Sequence, residues 1–575
     1  MSTKTPNNNQ RRKQAMMRII IMAGILICIN VLASYFHTGI DLTKENRFTL
    51  SPSTKKLLHN MQEVAVVDVY LKGKFPAEIQ RLQEATRERL ASFKEIAGNR
   101  IIFHFIDPLE GKTEPEKKQI VKDMAQKGMV IQELRNNNED DEEFSSKVFF
   151  PYALIHYNGK EKAIMLSEPL PGNKSLAEGI NYTESMLEHK FADAISQLQR
   201  PAPARVAYII GNGEDLGIKT FDMLASLPSY YYLDTLNLMH SIQISLAYDA
   251  IIINQPKITF TGPEKLKIDQ YIMGGGHVLW NVNQLNASID SLELHPPQIM
   301  AMEYGLDLDD LLFKYGVRIN TDLIEDRQNL PLPRVMNNGT PELHEWVYFP
   351  KLNPTSDHPI VRNMDFIFGQ FTNSIDTIKT PGIKKTILLE SSKYSRASAA
   401  PVRVSLTMMS FPLNNEMFNK PYRPVAVLLE GKFTSAYKNR LAPEFLHFLD
   451  SMKTPFKPEC DSENSMIVTS VGDLFSNDYS TKSGVIPMGY YKFNGQYYAN
   501  KSFLLNCLEY LTDHSGILES RSKQVKLRLL DNGRAKDEKT QWQVINVSIP
   551  IALVLVFASC YLFFRKRRYE IKQKQ

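Results

Sequence analysis

Two long apolar runs, each beside a cluster of basic residues, constrain this chain more than any other feature. Residues 19–40 and 544–564 contain no formally charged side chain. As helices rising 1.5 Å per residue they reach about 33 and 31 Å, enough to cross a hydrocarbon core of roughly 30 Å. Pro550 lies in the second run, where membrane helices tolerate it. Trp542 and Tyr561 suit the two interfaces. Residues 1–18 hold five basic residues and no acid; residues 565–575 hold six basic residues and one acid, Glu570. Positive charge marks the cytoplasmic side of a membrane. The expected layout is therefore a two-span membrane protein with both basic tails (1–18 and 565–575) cytoplasmic. Its spans are 19–40 and 541–564, and residues 41–539 lie across the membrane. A cleaved signal peptide is the alternative for the first run, because a short basic region before an apolar stretch fits both. The run is long for that, and no strong small-x-small cleavage site follows it.

The whole chain of 575 residues is 43% hydrophobic and 23% charged, which excludes a disordered or fibrous protein. Its net charge of +5 is misleading, since each tail contributes +5 and the remainder carries −5. A mildly acidic body argues against nucleic acid as a partner. Of four cysteines, Cys28 and Cys560 fall in the apolar runs. Only Cys460 and Cys507 remain, so a disulfide scaffold is excluded while a single bond between them stays open.

Between the spans the periodicity predicts an α/β protein in three stretches. In the first, residues 41–200, strands at 64–71 and 101–106 flank a helix over 77–97 that Gly98 and Asn99 stop. A β-α-β unit of this kind calls for a parallel pair. A further helix over 116–127, a solvated acidic loop at 136–143 and a hairpin around Asn158-Gly159 follow. The layout is thioredoxin-like, but no C-x-x-C is present, so redox chemistry is not expected. An amphipathic helix over 183–199 closes the stretch. In the second, residues 201–380, apolar strands at 206–210, 250–254 and 277–281 alternate with helices at 219–227 and 264–273. Such continuous apolar strands predict a buried, doubly wound parallel sheet. Residues 331–380 read as mostly loop. The third, residues 381–540, has strands at 385–390, 402–408, 424–430 and 466–470 and a helix at 501–514, and either stands alone or completes the second sheet.

No catalytic or metal motif stands out, and neither a cofactor nor enzymatic activity is expected. The nearest approach to a phosphate loop, residues 211–220, fails the spacing because Ile218 separates Gly217 from Lys219. Gly211, Asn212, Gly213 and Glu214 sit at the carboxyl end of a predicted strand, where α/β sheets bind ligands. They are the candidate ligand or partner turn, with a tight turn requiring glycine as the plain alternative. Gly274-Gly275-Gly276 follows a helix instead of opening one and reads as a helix stop.

Many segments together resemble one family. They include DLTKENRFTLSPSTKKLL, EGINYTESMLEHKFADAI, VAYIIGNGE, YDAIIINQP, IDQYIMGGGHVLWNVN, LLFKYGVRINTDLIED and SVGDLFSND. From about residue 20 to its end the chain resembles the gliding-motility-associated ABC-transporter auxiliary family of Bacteroidota (GldG). Relatives often carry Gly-His-Gly-Glu where this chain has Gly211, Asn212, Gly213 and Glu214. The resemblance implies a non-enzymatic accessory subunit in the bacterial inner membrane, with residues 41–539 periplasmic. It implies a separate ABC permease and a cytoplasmic ATPase as partners, a link to gliding motility or secretion, and a middle region like a class I glutamine amidotransferase without its catalytic cysteine. A membrane-tethered binding protein for a peptide, glycan or lipid is the rival reading, which a deep pocket near residues 211–214 or Gly472-Asp473 would favour.

Overall fold

The computed structural model describes residues 16–28, 49–73, 75–127, 129, 131–134, 147–167, 176–335, 340–410, 413–451, 455–481, 484–513, 515–522 and 539–573. The chain divides into two compact units, Met1–Gln524 and Val525–Gln575. The acidic loop expected at 136–143 and most of the first apolar run lie outside the described residues.

The first sheet of the larger unit is built on a β-branched run. Strands β1 (Ala65–Val69), β2 (Ile101–Phe105), β3 (Tyr152–Tyr157) and β4 (Lys160–Met165) lie in the order β2-β1-β3-β4. β1 and β2 are parallel, while β3 runs against both β1 and β4. Asn158 and Gly159 join β3 to β4 with φ of 47° and 74°. Two positive φ values define the hairpin turn whose twist matches that of the strands. Helix α1 (Ala77–Ala97) buries Ile79, Leu82, Leu90 and Phe93 at helical spacing. It packs against α2 (Leu176–Gln199), where Phe93 meets Phe191 edge-on at 6.3 Å. α2 begins seven residues before the helix predicted at 183, and Ile180 and Asn181 in that extension are buried.

The second sheet holds nine strands. They are β5 (Arg205–Ile210), β6 (Tyr232–Asn237), β7 (Ala250–Asn254), β8 (His277–Asn281), β9 (Lys351–Pro354), β10 (Ile367–Phe368), β11 (Ile383–Glu390), β12 (Pro424–Gly431) and β13 (Asn464–Thr469). Their order is β10-β9-β11-β12-β13-β8-β7-β5-β6. The five strands from β13 to β6 are mutually parallel. The four on the other side are antiparallel. The expectation of a parallel sheet is thus corrected to a mixed one, in which strands from both sides of residue 380 pair. Residues 331–380, expected as loop, supply β9 and β10; both are too short to show a pattern of their own. Residues 402–408, expected as one strand, split into a strand at Val402–Ser405 and a 3-10 turn at Leu406–Ser410.

Alternate residues of each parallel strand face opposite sides, and both sides are covered. Val206 and Tyr208 join a core with Phe503, Leu504 and Leu508 of helix α5 (Asn500–Thr512). Ala207 and Ile209 join another with Ile268 and Ile272 of α3 (Gly262–Met273) and Leu312 of α4 (Asp309–Tyr315). Cys507 belongs to the first core and Cys460 to the second, and both are free thiols. The sheet separates them, which closes the disulfide possibility.

The smaller unit contains helix α6 (Lys539–Gln573), with Pro550 inside it. Its segment Gln543–Arg565 is long and apolar enough to cross a membrane. Met16–Cys28, which begins at the end of the basic tail and enters the first apolar run, is a shorter apolar helix, and residues 29–40 lie outside the described residues.

Candidate functional site at the carboxyl edge of the large sheet

In chain order the parallel strands run 2-1-3-4-5 across the sheet, so the order reverses between β5 and β7. Ligands of open α/β sheets bind outside the carboxyl ends of the strands at such a reversal. Residues 211–214 leave β5 there. Gly211 and Gly213 have φ of 121° and 87°. A β-carbon on Gly213 would stand 3.1 Å from Lys257 Cβ, so close approach as well as backbone conformation selects glycine. The carbonyl of buried Asn212 accepts from the amides of Lys257 and Ile258, both at 2.8 Å. Its own amide donates to Glu214 Oε2 at 2.8 Å. That amide is therefore occupied from within the turn and is not presented to a ligand.

Burial, with the Glu264 charge adding to it, pushes the Glu214 carboxyl from 4.5 up to about 7. The folded protein then holds a proton that the unfolded chain releases, so stability falls as pH rises through roughly 4.5 to 7. Glu214→Gln is expected to stabilise the protein at pH 8 by about 1–2 kcal/mol and to leave it nearly unchanged at pH 4. Urea titrations at the two pH values check this, and equal effects at both would reject it.

Three of the parallel strands end in polar residues that sit side by side. Asn281 Nδ2 donates to Asn254 Oδ1 at 2.9 Å, and Thr469 Oγ1 donates to Asn281 Oδ1 at 2.8 Å. All three are buried. Just beyond them, Gln255 and Asp473 adopt left-handed backbone with φ of 51° and 53°. Non-glycine residues in that region are strained and collect at functional sites.

A cleft of about 460 Å³ opens at this edge. Lys219, from the loop after β5, pairs with Asp290 beyond β8. Burial works to lower the Lys219 pKa, but Asp473 and then Asp290 outweigh it and the net shift is upward. The loops after β5 and β13 are laced together: Asn477 N donates to Lys219 O at 2.7 Å, and Asp222 N donates to Asn477 Oδ1 at 2.9 Å. The wall carrying Lys492 is tied to Asp478, beside Asn477, at 2.7 Å. Tyr490, Tyr491 and Phe493 complete that wall. Tyr491 packs on Phe368 at 5.1 Å and Phe493 at 5.4 Å, and its hydroxyl donates to Pro331 O.

Of this site, sequence reasoning singled out only the 211–214 turn and Gly472-Asp473. It missed the aromatic wall, whose signal was available as six aromatic residues between Tyr479 and Tyr498. Neither Cys460 nor Cys507 is placed as a nucleophile. Burial raises the pKa of both, and Cys460 Sγ donates to Ile272 O at 3.3 Å. Among the described residues no group of three or more His, Cys, Asp or Glu could hold a metal ion.

Residues 203–507 match the family model described as ABC-type uncharacterized transport system. The chain belongs to that family. The transport-system region runs from just before β5 into α5, and so contains the entire nine-stranded sheet and its cleft. Residues 44–156 match a domain of unknown function, DUF7088, which covers the first sheet up to β3. An uncharacterized protein of Borreliella burgdorferi is 22% identical over 555 residues, spanning 92% of this chain and 93% of its own length. Among solved structures, the mmIFT52 N-terminal domain aligns over 54% of this chain and 97% of its own, at 14% identity and a TM-score of 0.29. Membership of a transport family and the apolar C-terminal helix together indicate association with a membrane.

Proposed function

We propose that this protein is a non-enzymatic, membrane-anchored accessory subunit of an ABC transporter, working with a separate permease and a separate cytoplasmic ATPase. The observation that carries this reading is the transport-system match over residues 203–507, in a chain that also holds the apolar helix Gln543–Arg565. In this reading both termini are cytoplasmic and residues 41–539 are periplasmic in the bacterial inner membrane, as the basic tails favour. The apolar runs hold no Asp, Glu, Lys or Arg, so they anchor and dock instead of lining a substrate path. Gliding motility or the secretion that serves it is the process we assign, on the strength of the family resemblance.

The strand order and directions of the first sheet support a thioredoxin-like domain over 41–200. The 2-1-3-4-5 parallel order supports a doubly wound, amidotransferase-like domain from 201, completed by residues 381–540. The 211–214 turn contributes to the ligand or partner edge by fixing the loop that carries Lys219. A membrane-tethered binding protein for a peptide, glycan or lipid is a second reading, favoured by the cleft beside Asp473 and compatible with the subunit role. The subunit role is tested by whether the full-length chain, released from its native membrane in mild detergent, brings a permease and an ATPase with it.

A further inference from the structure

We infer that the cleft at the carboxyl edge of the large sheet binds a neutral saccharide of one or two rings. Its volume of about 460 Å³ falls in the range of small-molecule sites. The charges of the lining argue against an anionic ligand. Both signs are present and paired across short distances, Lys219 with Asp290 and Lys492 with Asp478. The lining carries four carboxylates, Asp290, Glu293, Asp473 and Asp478, against two ammonium groups, Lys219 and Lys492, so a phosphate is repelled. A lipid chain would need a continuous apolar lining, which these pairs interrupt. A hydroxyl group donates and accepts at once, so it bonds to both members of a lysine–carboxylate pair. A sugar ring carries several such hydroxyls around an apolar C–H face, and Tyr479, Tyr490 and Phe493 supply aromatic surface for that face.

The site is also held ready. The bonds from Asn477 to the 218–222 segment fix one wall, and the packing of Tyr491 on Phe368 and Phe493 fixes the other. Asp473 is kept in its left-handed conformation beside Gly472, which bridges to Gln370 and has no room for a side chain: a β-carbon there would stand 2.7 Å from Gln370 O. A strained acidic residue at a rigid cleft suits orientation of a ligand.

The test uses the full-length protein in lipid nanodiscs free of sugar-headed detergent. Calorimetry and saturation-transfer NMR would be run with glucose, galactose, N-acetylglucosamine, maltose and cellobiose. Choline, inorganic phosphate, a neutral tripeptide and a short fatty acid serve as comparators. Tyr479→Ala removes a half-exposed ring, and Asp473→Asn keeps a residue that tolerates left-handed backbone. We expect saturable binding of at least one of these saccharides, weakened about tenfold or more in both variants at unchanged thermal stability. The inference is overturned if none of the five binds at ~10 mM, if both variants bind as the parent does, or if a comparator binds more tightly. Binding is read on the isolated chain, so its failure leaves the transporter reading, which depends on co-isolated subunits, standing.

Discussion

Asp269→Ala is expected to destabilise the α/β unit by about 3–5 kcal/mol, the largest loss foreseen for a single polar side chain here. Asp269 lies on α3 and is fully buried. Its Oδ1 accepts from Tyr315 Oη and the amide of Ala436, both at 2.9 Å. Its Oδ2 accepts from Ser435 Oγ at 2.7 Å and Gln270 Nε2 at 2.9 Å. One carboxylate thus joins α3 to α4 and to the segment that follows β12. Alanine leaves three buried donors on other elements without an acceptor, and each costs about 1–3 kcal/mol. Asp269→Asn keeps one acceptor oxygen but turns an amide N–H toward donors, so an intermediate loss of about 2 kcal/mol is expected. Tyr315→Phe removes a single donor and should cost about 1 kcal/mol. Urea unfolding would give this order as shifts in midpoint at constant slope. If alanine cost no more than the phenylalanine variant, the carboxylate would not be the junction the geometry describes.

Three adjacent glycines give the second large effect. Gly275 N donates to Ile272 O at 3.0 Å and Gly276 N to Tyr271 O at 2.9 Å, with φ of 97° at Gly275. This is a Schellman closure of α3. A β-carbon at Gly276 would stand 2.2 Å from Tyr271 Cζ. That ring is buried, and its hydroxyl is anchored on Tyr248 O at 2.9 Å, so it has nowhere to turn. Gly276→Ala should cost about 3 kcal/mol or more. Gly275→Ala meets open space and only the left-handed penalty, about 1 kcal/mol. Gly274→Ala presses on Leu246 at 2.7 Å, but that side chain is 58% exposed and swings away, so the change should stay within about 0.5 kcal/mol. Thermal or urea unfolding of the three variants separates them. Equal losses at all three positions would contradict the packing account.

The core of the large sheet was legible in the sequence where burial is two-sided. β7 and β8 are continuous apolar runs ending in asparagine, and their predicted limits agree with the structure to the residue. β6 was missed because Tyr232–Asn237 is an edge strand, half-exposed throughout, with no apolar run to mark it. Its absence from the reading hid the reversal in strand order. Of the antiparallel half, β11 and β12 were legible as strands at 385–390 and 424–430, but β9 and β10 were not: they are too short for a period of two to emerge, and pairing alone defines them. The cleft was illegible because Lys219, Asp290, Asp473 and Lys492 are far apart in the chain. Only the sheet topology brings their loops to one edge, and no local spacing encodes that. The 211–214 turn was visible as glycine punctuation, yet the sequence could not show that its amide would be satisfied from within.

The central claim is that this chain works as one subunit of an ABC transporter. Its most direct test is purification of the tagged full-length protein from its native membrane in mild detergent, with quantitative mass spectrometry of what accompanies it. The account predicts a permease and a nucleotide-binding ATPase in stoichiometric amounts. A protein that emerges alone, under conditions that keep other membrane complexes intact, would contradict it.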